Sequence, residues 1–78
     1  MGDSPVNLTG QLLAVRFRHE VYLLSIGNAS EWQAVQPIQW RFKVSEEDAQ
    51  AALRYAVVAG WLEAQGDPIF RVRLAPQP

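Results

Sequence analysis

The chain has 78 residues, a formal net charge of −1 and no cysteine. That length fits one small domain, which buries only about 60% of the surface its unfolded chain exposes. Without cysteine there is no disulfide framework and no thiolate for zinc or catalysis, and the near-neutral charge excludes a generically polybasic nucleic-acid binder.

Hydrophobic residues make up 49% of the chain and charged residues 19%, a composition that folds rather than staying disordered. No apolar run approaches the ~20 residues of a membrane span. The opening Met-Gly-Asp-Ser-Pro lacks the basic start and apolar stretch of a signal peptide. The expectation is a single cytoplasmic domain over residues 9–74, with disordered ends at residues 1–8 and 75–78.

Residues 10–26 form the longest apolar-rich stretch and read as a helix, too long without proline for a strand. As a helix it carries two apolar stripes. Leu12, Val15, His19, Tyr22, Leu23 and Ile26 follow i, i+3, i+4 spacing, and Leu13, Phe17, Val21 and Leu24 form the other. Either stripe can be the inner one. Arg16 and Glu20 stand four apart as a surface pair. Gly27-Asn28 supplies a stop.

Residues 32–35 read as a short strand. Pro37 suits the first position of a short helix over residues 37–42, where Ile38 and Phe42 share the inner face. Ser45-Glu46-Glu47-Asp48 then reads as an N-cap with acids in the first turn. The helix it opens buries Ala49, Ala52, Leu53, Ala56 and Val57 and ends at Gly60. Residues 61–64 and 69–74 read as a β-hairpin around Gly66-Asp67-Pro68, with Phe70, Val72 and Leu74 on one side and Arg71 and Arg73 on the other.

The order helix, strand, helix, turn, helix, hairpin resembles the winged helix-turn-helix family. Ile38-Gln39-Trp40-Arg41-Phe42-Lys43-Val44-Ser45 looks like that family's helix, turn and second-helix start. Ala52 through Leu62, with its Gly60-Trp61-Leu62 ending, looks like a recognition helix running into the first wing strand. Phe70-Arg71-Val72-Arg73-Leu74 looks like the second wing strand. The resemblance implies an α+β fold of three helices plus a C-terminal hairpin. It also implies a small bacterial DNA-binding regulator or accessory protein.

Under that implication Arg41, Lys43, Arg54, Arg71 and Arg73 are the candidate contacts to double-stranded DNA phosphates, and Gln50 and Arg54 the candidate base readers. The alternative is a protein-interaction module on the same fold. It rests on the acidic Glu46-Glu47-Asp48, the neutral charge and the surplus of apolar and tryptophan surface. Its candidate surface for a protein partner or for self-association is Leu13, Phe17, Val21, Leu24 and Trp40. No converging acid, base and nucleophile marks an enzyme. His19, the lone imidazole, reads as a half-buried structural residue, and no cofactor, metal or small-molecule ligand is expected.

Overall fold

Helix α1, Pro5–Leu24, runs 20 residues. The computed structural model describes residues 5–28 and 30–76, with side chains from Gly10 onward. The helix starts well before residue 10, inside the stretch expected to be disordered. Pro5 explains this, because its fixed φ and missing N–H suit the first helical position. Residues 1–4, 77 and 78 of the expected frayed ends lie outside the described residues.

One face of α1 is buried: Leu13, Ala14, Phe17 and Val21. It packs chiefly on α3, Glu46–Val58, whose inner face is Ala49, Ala52, Leu53 and Ala56. Three alanines on that face let the α1 backbone come close, so Phe17 has no exposed surface at all. Val57, expected on the same face, sits at its edge and is exposed. The Phe17 ring meets Phe42 edge-on, with centroids 5.1 Å apart.

Helix α2, Val35–Phe42, begins two residues earlier than expected, so Pro37 occupies its third position rather than its first. Proline is tolerated there because no N–H of the first turn has an intrahelical partner. The Val35 N–H instead donates to the Phe70 carbonyl at 3.0 Å. The helix contributes Val35 and Ile38 to the core. It stops at Lys43, which is left-handed at φ 57. There Val44 N–H donates to Gln39 O and Lys43 N–H to Trp40 O, a Schellman ending.

α3 starts as its sequence predicts. The Ser45 Oγ accepts from the Asp48 N–H at 3.1 Å. It stops by the same Schellman pattern as α2, Trp61 N–H to Ala56 O and Gly60 N–H to Val57 O, with Gly60 at φ 83.

Strands β1 (Gln33–Ala34), β2 (Leu62–Gln65) and β3 (Arg71–Leu74) form one antiparallel sheet in the order β1-β3-β2. β2 and β3 form the expected hairpin with shifted bounds, since Ile69 and Phe70 belong to the loop and Phe70 is exposed instead of sharing a buried side with Val72; the register runs Leu62 to Leu74 and Gln65 to Arg71. β1 is the predicted short strand, and it adds to the free edge of β3 through Gln33–Val72 and Ala34–Arg71 pairs. Leu62 and Val72 send the sheet's share into the core. In the loop between β2 and β3, Gly66 stands at φ 95, and a Cβ there would overlap the Phe70 ring. Among the described residues the domain is thus α+β, with three helices and a three-stranded antiparallel sheet.

Two substitutions on α1 separate backbone from packing effects. Gly10 is helical and a Cβ there meets nothing within 4 Å, so Gly10→Ala should stabilise by about 0.5–1 kcal/mol. Phe17→Ala should cost about 3–5 kcal/mol. Urea unfolding followed by circular dichroism reads both.

Candidate functional site

The residues expected at a DNA surface fall into three structural situations. Arg41 and Arg73 are ion-paired. The Arg41 Nη1 bonds the Glu20 Oε2, whose carboxylate is nearly buried on the inward side of α1. This replaces the expected Arg16–Glu20 pair; Arg16 lies instead over the Phe42 ring, 4.4 Å from its centroid. Arg73 is held from three sides. Its Nε donates to the Glu63 Oε1 at 2.7 Å, its guanidinium stacks 4.4 Å from the Trp32 centroid, and its Nη1 donates to the Ser30 carbonyl at 3.3 Å.

Gln50 is in the second situation. It is only 7% exposed, although its helix spacing placed it outward. Its Nε2 donates to the Ile69 carbonyl at 2.9 Å and its Oε1 accepts from the Ile69 N–H at 2.8 Å. The loop after β2 folds over α3 and engages both ends of the amide.

Lys43, Arg54 and Arg71 form the third group and are exposed. Arg54 shares a shallow hollow with Glu46, Glu47 and Pro68. Arg71 lies 5.7 Å from the Phe70 centroid, on the rim of a depression of about 420 Å³ that also holds Glu46. The surface around the start of α3 therefore alternates in sign: Glu46, Glu47 and Asp48 stand among the cations.

The expected partner surface is reversed. Leu13, Phe17 and Val21 are core residues, 6% exposed or less, and cannot meet a partner. Leu24 and Trp40 from the same set are exposed, at 44% and 65%. The other α1 stripe is the open one. Leu12, Val15, Tyr22, Leu23 and Ile26 each expose close to half of their surface or more. His19, expected to be half-buried, is exposed among them. The sequence signal that separates the stripes is Ala14. A small side chain beside Leu13 and Phe17 marks the side of closest helix approach, and that side faces the α3 alanines.

This open face borders a groove of about 540 Å³ between α1 and the sheet. Val15, Arg18, His19 and Tyr22 form one wall, and Trp61 and Leu74 the other. Trp61 is half-buried, edge-on to Tyr55 at 5.8 Å, with the Arg18 guanidinium 5.4 Å from its ring. Arg16 flanks the apolar face on one side and Arg18 on the other. Among the described residues, no group of three His, Cys, Asp or Glu is placed to hold a metal, and no helix is long and apolar enough to cross a membrane.

Gln50→Ala should cost about 2–3 kcal/mol, because it removes two hydrogen bonds and leaves the Ile69 backbone groups without these partners. Arg54→Ala should stay within about 0.5 kcal/mol, as exposed substitutions do. Urea midpoints compare them. Comparison with protein-family models, with curated proteins and with solved structures finds no match to this chain.

Proposed function

We propose that this chain is a non-catalytic protein-interaction module on a winged-helix-like fold, working through the exposed apolar face of α1 in a cytoplasmic setting. The observation that carries the reading is the row Leu12, Val15, Tyr22, Leu23 and Ile26, open along α1 beside the Trp61–Leu74 groove. Scattered apolar residues are normal on a surface, but a contiguous patch rimmed by charge marks an interaction site.

The helix order, the α2–turn–α3 unit and the β2–β3 hairpin support the winged-helix likeness. The charge arrangement favours the interaction reading over duplex binding. Phosphate contacts supply most duplex affinity. Of the six candidate DNA residues, Arg41 and Arg73 are paired to carboxylates and Gln50 is tied to Ile69. The turn of α3 that a winged-helix relative inserts is acidic here.

Two measurements test the proposal. Titration with mixed-sequence duplex DNA at low salt should show no binding at micromolar protein; binding that weakens steeply with salt overturns the reading. Affinity capture with the folded chain as bait should retain partner protein with wild type and Lys43→Ala and lose it with Leu23→Lys. Retention by all three removes α1 as the working surface.

A further inference from the structure

The groove between α1 and the sheet has a chemistry that the apolar row on α1 does not share. Its walls combine aliphatic surface from Val15 and Leu74, aromatic surface from Tyr22 and Trp61, and two nitrogen donors, Arg18 and His19. At about 540 Å³ it falls within the roughly 300–1,000 Å³ of small-molecule sites. Among the described residues no carboxylate and no side-chain amide lines it. The other two hollows differ in this respect, since both hold Glu46 and Gln50.

Arg18 sets the charge of the groove. Arg41 and Arg73 are neutralised by Glu20 and Glu63. Among the described residues Arg18 meets no carboxylate and donates no hydrogen bond; its guanidinium rests 5.4 Å from the Trp61 centroid. The side chain leaves the helix wall and its head reaches the ring of the opposite wall, so the charge stands inside the groove and not out in solvent. The ring holds the guanidinium while its N–H donors remain unspent. The Trp61 indole nitrogen and the guanidinium can only donate, and His19 and Tyr22 can donate too. A lining of donors with a fixed cation and no carboxylate selects a ligand that brings acceptor oxygens and negative charge.

We propose that this groove binds a small molecule with a compact apolar body and one carboxylate. The carboxylate pairs with the Arg18 guanidinium, with His19 as the second donor. The apolar body lies against Trp61, Leu74 and Val15, whose wall on α1 runs about 10 Å from Val15 to Tyr22. The bound body shields the ion pair from water, which strengthens an interaction that is weak when fully exposed. A neutral ligand forgoes that pair, a cation is repelled by Arg18, and a bare carboxylate has nothing to bury. The proposal goes beyond the interaction-module reading. It shares Val15 and Tyr22 with that reading, whereas Leu12, Leu23 and Ile26 lie outside the groove.

The experiment is a titration of the full chain, followed by the indole N–H signals in two-dimensional proton–nitrogen magnetic resonance spectra. The chain has three tryptophans, and Trp61→Phe identifies the signal of the groove. Naphthalene-2-acetate should shift the Trp61 signal saturably, with a dissociation constant below about 1 mM at low salt. The isosteric amide, naphthalene-2-acetamide, should bind about five- to tenfold more weakly. Acetate at the same concentrations, lacking the apolar body, should leave the signal in place. Added salt should narrow the gap between acid and amide.

Arg18→Met keeps an apolar stem and removes the charge, so it should bind acid and amide alike. Arg71→Met, outside the groove, should keep the preference for the acid. Circular dichroism checks that both variants are folded, and the comparison of acid with amide on wild type needs no variant. Absence of a saturable Trp61 shift, or equal shifts at Trp32 and Trp40, overturns the groove as the site. Equal affinity of wild type for acid and amide, or a preference that survives Arg18→Met, overturns the carboxylate assignment. Neither result bears on the protein-capture test, which is read through Leu23.

Discussion

The approach of α1 to α3 governs the rest of the structure. Ala49, Ala52 and Ala56 present almost no side chain, and Ala14 answers them from α1. The volume so released is filled by Phe17, Leu53 and Val21, among the largest fully buried side chains. A domain this small has room for one such contact, and the other elements arrange around it. Ile38 and Phe42 bring α2 in against the same residues, and Leu62 with Val72 close the core from the sheet. Because α1 has only one face in contact with α3, its rotation decides which apolar stripe is left outside.

The same packing explains where the charges go. Glu20 sits on the inward side of α1, and a nearly buried carboxylate needs a partner. Arg41 at the end of α2 provides it. On the sheet, Glu63 and Arg73 are directly cross-strand in the β2–β3 register, so their pairing follows from the hairpin itself. Cations that look available in a linear reading are thus used to complete the fold. Stacking of Arg16 on Phe42, Arg18 on Trp61 and Arg73 on Trp32 uses their stems and planes in the same way.

Much of this was legible in the sequence where the determinant is local. The Ser45 cap, the glycine stop at Gly60 and the alternation through Val72 depend on neighbours a few residues away. The hairpin and all three helices follow from such signals. The orientation of α1 was not legible in the same way, because its two stripes are equally apolar. Only Ala14 distinguishes them, and its meaning depends on alanines some forty residues downstream. Gln50 departs from its helical pattern for a related reason. Helical spacing puts it outward, and it is outward, but the β2–β3 loop returns to cover it.

Gln50 also has a mechanical consequence. Its amide offers one donor and one acceptor to a single residue, Ile69, as a peptide group on a neighbouring strand does. The side chain is in effect a one-residue strand projecting from a helix. It locks the angular setting of α3 to the loop, since turning the helix by one residue, about 100°, would carry the amide out of reach. The loop that leads into β3 is therefore tied by two hydrogen bonds to the helix whose alanines seat α1.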